Sequence, residues 1–201
     1  MPNTNTFVKT QMKQSLILLF LSIGGILGSL TLTATAEDTL PMIFEDFTSD
    51  AAERWDYVAD RVMGGVSSGE AQIVRDGADS AVHLTGTVST DNNGGFIQVR
   101  HRFAGGWGKD TRGLRISAKG NDQIFYVFLR TKGLSRVWYS YRFAFEVSSE
   151  WAEFEMDFDQ FKPSHEGMPK TFTPDIIQSI GFVAYGRNHE ADLMVRQIEI
   201  Y

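Results

Sequence analysis

From about residue 43 onward, apolar and polar side chains alternate along much of the chain with a period of two, the spacing of a strand with one face in a core and one in solvent. Between Phe96 and Phe103, Ile97, Val99, His101 and Phe103 fall on one side and Gln98, Arg100 and Arg102 on the other. Residues 137–147 predict the longest strand, with Val137, Tyr139, Tyr141, Phe143 and Phe145 opposite Trp138, Ser140, Arg142, Ala144 and Glu146. In the stretch 151–158, Ala152, Phe154, Met156 and Phe158 point inward and Glu153, Glu155 and Asp157 outward. Ile124 to Thr131 is apolar on both faces, which predicts a central strand. Shorter strands are expected at 43–47, 55–58, 69–75, 81–88, 113–118, 180–185 and 193–201. Turn chemistry at Asp76-Gly77, 91–95 and 119–122 separates several of them. Residues 162–172 read as a long rim loop, followed by a brief helix with Thr173 as cap and Pro174 at its first position. The predicted class is all-β, an antiparallel sandwich or barrel.

The first 36 residues follow a different pattern. Lys9 and Lys13 precede an apolar run from Leu16 to Leu32, and Ala34-Thr35-Ala36 offers a small-residue cleavage site. This predicts a signal peptide over 1–36, cut after Ala36, and one domain over 37–201 in the periplasm or outside the cell. An uncleaved anchor is the alternative, and only that would associate the protein with a membrane. With 201 residues in all, the remaining domain is long enough for a substantial core. The absence of cysteine excludes disulfides, thiolate metal sites and cysteine nucleophiles. Nineteen Lys and Arg stand against 25 Asp and Glu, and removal of Lys9 and Lys13 leaves the domain at −8. Such a domain repels phosphate backbones, so nucleic acid is not an expected partner.

The stretch Asp60-Arg61-Val62-Met63-Gly64-Gly65-Val66-Ser67-Ser68 joins adjacent glycines to charged and hydroxyl groups. Its first reading is a tight turn leading into a strand, and its second is a ligand loop. It lacks the lysine and spacing of a phosphate loop. As a corner, it is expected to pair Asp60 with Arg61 and to pack Met63 beneath. Trp55 followed by Asp60, Arg61, Met63, Gly64, Gly65 and Ser67 is similar to the opening signature of the complex I intermediate-associated protein 30 family. The similarity continues through Gly94-Gly95-Phe96, residues 138–142, Trp151, Phe158, Phe161 and Ile180-Gly181-Phe182. It implies a galactose-binding-like antiparallel β-sandwich of jelly-roll type, a non-catalytic role and, in mitochondrial members, chaperoning of complex I assembly. The export-type N-terminus departs from that matrix-side location, so complex I itself is not carried over as the client.

Side chains that could carry chemistry are sparse. Glu153, Glu155 and Asp157 lie about 6.6–6.8 Å apart along one strand face, a spacing compatible with an acid and base pair, yet they read as a solvated face. His83, His101, His165 and His189 have no metal-ligand spacing, and no Gly-x-Ser-x-Gly elbow is present. No cofactor is expected. The resemblance to carbohydrate-binding sandwiches implies at most a structural calcium, for which Glu45, Asp46 and Glu199 on the terminal strands are candidates. The stronger candidate is a binding face of Arg100, Tyr126, Arg130, Trp138 and Arg142, whose forks and rings suit sugar hydroxyls or acidic protein segments. The competing expectation pairs those arginines with Glu146 or Glu155 across strands. The function expected is that of an exported, non-enzymatic binding protein resembling an assembly factor, with a protein partner. The alternative is a carbohydrate-binding module for extracellular or wall glycans, which would require Trp107, Tyr126 and Trp138 to be exposed and coplanar.

Overall fold

Two antiparallel six-stranded sheets account for the chain in a computed structural model that describes residues 41–48 and 50–201. The expected signal segment, 1–36, lies outside the described residues. The strands in chain order are β1 (Met42–Glu45), β2 (Trp55–Ala59), β3 (Ser68–Asp76), β4 (Asp79–Val88), β5 (Phe96–Arg102) and β6 (Gly113–Gly120). They continue as β7 (Ile124–Thr131), β8 (Tyr141–Glu146), β9 (Ala152–Asp157), β10 (Lys162–Pro163), β11 (Ile177–Tyr185) and β12 (His189–Ile200). One sheet runs β3-β4-β12-β6-β9, with β1 also paired to β12, and the other runs β10-β8-β7-β11-β5-β2. The architecture is thus an all-β antiparallel sandwich.

The alternation explains the core. Leu84, Leu114, Ile116, Leu193, Val195 and Ile198 of the first sheet meet Ile97, Val99, Phe125, Val127, Leu129 and Phe182 of the second, all essentially inaccessible to solvent. Trp55 stacks on Phe182 at 5.6 Å and donates through its indole Nε1 to Glu45 at 2.9 Å. Trp107 is buried between Phe103 and Phe158, each 5.6 Å away, and so is not the exposed ring that the carbohydrate alternative requires.

Three local expectations change. The strand predicted over 137–147 begins only at Tyr141, because the Arg130 guanidinium takes up the carbonyls of Tyr139 and Arg136 at 3.0 and 3.1 Å. With those acceptors removed from the ladder, 136–139 closes as a turn, Tyr139 N–H donating to the Arg136 carbonyl. Pro174–Ile176 forms a 3₁₀ turn, but no Thr173 side-chain bond caps it. Ala152 is exposed and Phe154 half-buried, since β9 is an edge strand covered on one side only.

The loop after β2 is the joint between the sheets. Asp60 is fully buried, and its carboxylate accepts from the backbone N–H groups of Ser67 at 3.0 Å, Gly95 at 2.6 Å and Phe96 at 3.2 Å, and from the Ser67 hydroxyl. Ser67 Oγ in turn accepts from Ser89 N–H at 3.0 Å. One side chain thereby ties the start of β3 and the end of β4 to the start of β5 in the opposite sheet. A Cβ on Gly65 or on Gly94 would lie 2.4 Å from the Asp60 carboxyl, so both positions must lack a side chain. Gly64 turns the chain with φ +92°. The expected Asp60–Arg61 pair does not form, because the buried carboxylate already has four donors and Arg61 points to solvent. Met63 is likewise 53 % exposed and does not pack beneath the corner.

Burial pushes the Asp60 pKa up, but the bonds from Gly95, Ser67 and Phe96 outweigh it and leave the carboxyl below its ordinary 3.8. A depressed folded pKa stabilises above the unfolded value and loses that contribution as pH falls through the folded one. Asp60→Asn, which presents an amide N–H₂ to donors, is expected to cost about 2–4 kcal/mol at pH 7. In denaturant titrations the gap to wild type should narrow at pH 3. A gap independent of pH would show that the charge on Asp60 carries no stability.

Candidate functional site

The outward face of the second sheet holds a groove of about 660 Å³. Its shape follows from side-chain size along three neighbouring strands. The central strand β11 contributes Ser179 and Gly181 along the floor and Tyr185 at its end, while β5 on one side contributes Phe96, Gln98, Arg100 and Arg102, and β7 on the other contributes Phe128 and Arg130. In register, Arg100 and Phe128 both face Gly181, and Arg102 and Arg130 both face Ser179. Small residues between rows of long ones leave a trough.

The walls are fixed by bonds internal to the protein. Arg142 from β8 lies 4.5 Å from the Phe128 ring centroid and 4.6 Å from that of Tyr185, with Nε donating to Ser140 Oγ at 3.1 Å. Arg130 holds the 136–139 turn, which delivers Val137 and Trp138 to one rim. The opposite rim is formed by Val62 and Met63 of the Asp60 loop, with Gly94 behind them. Val62, Met63, Val137 and Trp138 are 74, 53, 75 and 49 % exposed, an apolar border around a cationic floor. His165 stacks on Tyr139 at 4.9 Å along the wall.

Among the described residues no aspartate or glutamate lines this groove. Arg100 has no hydrogen bond or ion pair among the described residues, and its buried Nε is unpartnered. Burial, followed by the charges of Arg102 and Arg130, pulls the Arg100 guanidinium below its ordinary pKa, against an opposing pull from Asp56, its register neighbour on β2. Burial and then Arg102 act in the same direction on Arg130.

Of the face expected from sequence, Arg100, Arg130, Trp138 and Arg142 line the groove. Tyr126 stands beside it, edge-on to Phe128 and Tyr185 at 6.0 and 5.9 Å. Trp138 reaches the groove from a loop, not from a strand. The cross-strand pairing with Glu146 or Glu155 is not seen: Glu155 binds Arg115 in the other sheet. Val62 and Met63 belong to the stretch whose second reading was a ligand loop, whereas Arg102 and Gly181 were not singled out from sequence as ligand-facing, although the polar parity of β5 could have added Arg102. Asp60, Gly65 and Ser67 form the joint behind the groove wall, while Arg61 is exposed and Gly64 turns the loop.

The calcium candidates do not converge on an ion. Glu45 is buried against Arg54 at 2.9 Å, Asp46 accepts from Thr48, and Glu199 binds Arg115 at 3.1 Å. Among the described residues no group of three His, Asp or Glu could hold a metal. On β9, Glu153, Glu155 and Asp157 are all exposed, and Asp157 accepts from Tyr201 at 3.1 Å.

The two-sheet antiparallel sandwich matches the fold of solved carbohydrate-binding modules. The family 11 carbohydrate-binding module of a Clostridium thermocellum cellulosomal cellulase superposes with a TM-score of 0.67 at 18 % identity, covering 80 % of this chain and 93 % of that one. The same Clostridium thermocellum module in complex with a β-1,3-1,4-mixed-linked tetrasaccharide gives 0.67, 18 %, 80 % and 94 %. An agarase matches with a TM-score of 0.54 at 8 % identity, over 79 % of this chain and 24 % of its own. No curated protein sequence is significantly similar to the chain. The chain belongs to the complex I intermediate-associated protein 30 (CIA30) family, whose profile matches residues 45–195.

Arg130→Gln should release the 136–139 turn. Amide exchange at Tyr139 is expected to accelerate by about tenfold, as one charge-assisted bond is worth roughly 1.5–3 kcal/mol, with a change in tryptophan emission from Trp138. Unchanged exchange would mean that the rim holds without Arg130.

Proposed function

We propose that the protein is an exported, non-catalytic binding domain that docks a segment of a protein partner in the groove, as an accessory or assembly factor of a protein complex. The single observation that supports this most is the composition of the groove: exposed aliphatic rims at Val62, Met63 and Val137, one exposed tryptophan, and a floor of arginines. Tryptophan and arginine surrounded by apolar side chains are the residues that dominate protein interfaces. Family membership supports association with a protein complex, and the signal-like residues 1–36 support export.

A carbohydrate-binding reading is favoured by one observation, the likeness to a module solved with a mixed-linked tetrasaccharide. The aromatic geometry favours it less. Trp107 is buried, Tyr126 stands edge-on to its neighbours, the Phe128 and Tyr185 rings are covered by Arg142, and Trp138 meets Tyr139 at 89°. Those rings form no coplanar plate for stacked sugar rings.

Gly181→Leu separates the two readings. A Cβ at Gly181 meets only the Gln98 amide oxygen closely, at 3.0 Å, so the substitution fills the groove and leaves the core alone. Crosslinked capture from the native envelope is expected to yield a protein held by wild type and lost from Gly181→Leu, at equal melting temperature. Retardation by mixed-linked β-glucan in affinity electrophoresis, abolished by Gly181→Leu and Trp138→Ala, would replace the proposal with the carbohydrate reading.

A further inference from the structure

We infer that the groove floor is a carboxylate subsite for an acidic peptide segment: one carboxylate seats above Gly181, between Arg100 and Arg102 of β5 and Arg130 of β7, while flanking apolar side chains pack on Val62, Met63 and Val137. The inference rests on the reading of the groove as a protein-docking site and adds the chemistry of what docks.

Four observations carry it. The groove gathers four arginines and no carboxylate, within a domain whose acidic residues outnumber its basic ones. The arginines are not equivalent: Arg142 is committed to Phe128, Tyr185 and Ser140, and Arg130 spends Nε and one terminal nitrogen on backbone carbonyls. Arg100 and Arg102 have no hydrogen bond or ion pair among the described residues, and the Arg100 Nε is buried without an acceptor. Two guanidinium groups that no carboxylate binds among the described residues leave their charge to be matched by a ligand. The side-chain-free floor at Gly181 supplies room for the oxygens beside these forks. Guanidinium forks match a planar carboxylate through paired N–H bonds. A peptide fits better than a polyuronate, because the rims offer aliphatic side chains and no sugar platform.

The test uses the purified protein and fluorescence anisotropy of labelled peptides. A peptide of alternating leucine and glutamate is expected to bind, its leucine and glutamine counterpart at least about tenfold more weakly, and added salt should weaken the first selectively. Arg100→Gln should lower the affinity by about tenfold or more, at unchanged melting temperature. If that variant fails to fold, the exposed Arg102→Gln carries the same test. Equal binding of the two peptides overturns the inference, as does binding indifferent to both arginine variants. Oligogalacturonate displacing the peptide at lower concentration than the unlabelled peptide itself also overturns it in favour of an acidic glycan. Capture of a partner that is lost in Gly181→Leu but kept in Arg100→Gln and Arg102→Gln would retain the docking reading and remove the carboxylate subsite. Selective peptide binding without any groove-dependent partner would retain the subsite and remove the assembly role.

Discussion

The carboxylate of Asp60, sealed from water and surrounded by four donors, is the interaction on which the rest of the molecule depends. An isolated ionised group in such a place costs several kcal/mol, and only well-directed hydrogen bonds offset it. Those bonds come from Ser67 before β3 and from Gly95 and Phe96 at β5, so stabilising the charge also fixes one sheet against the other. Two close glycines, at 65 and 94, make room for the carboxylate. The outer surface of the same loop carries Val62 and Met63, so the joint that closes the sandwich also positions one rim of the groove.

The other rim depends on a comparable economy. Arg130 rises from the sheet and, by binding two carbonyls of the following loop, ends a run that would otherwise continue as strand. Its charge is thereby part of the wall, as is that of Arg142, clamped over two rings. What distinguishes Arg100 and Arg102 is that neither makes a hydrogen bond or ion pair among the described residues, although Asp56 stands across from Arg100 in the sheet. A groove whose walls consume some arginines and whose floor leaves others unmatched is a shaped cationic surface, in which position and charge are set by different neighbours.

Much of the fold was legible because burial on one face imposes a period of two. The parity of residues 96–103 placed Ile97 and Val99 inside and Arg100 outside, and the two-sided apolarity of residues 124–131 marked β7 as internal. Parity also put Arg100, Arg130 and Arg142 on a common side. It failed at Trp138, where two side-chain hydrogen bonds from Arg130 to the backbone six and nine residues on override a good alternating pattern, and at Tyr126, which shares the face but lies one row beyond the groove. The burial of Trp107 against Phe158 and the Glu45–Arg54 pair were invisible because neither follows from alternation within a strand. Asp60 looked like half of an Asp–Arg pair because adjacency in sequence suggests adjacency in space. Its real partners are backbone amides, which sequence does not advertise. Gly181 was legible as a family residue, but its role as a floor emerges only when strands β5 and β7 stand beside it.

The arginine groove has an electrical consequence for the whole molecule. Residues 37–201 carry a net charge of −8, and the exposed Glu153, Glu155 and Asp157 lie on the opposite sheet, away from the groove. Four of the seventeen basic residues in 37–201 line the groove, so positive charge is gathered locally on one face of a body that is negative in total. If the proposed acidic segment is the ligand, that local field draws it toward the groove within a Debye length of about 8 Å at physiological salt. On that proposal the sandwich would act as a compass needle for its partner, sorting orientations before any side chain makes contact.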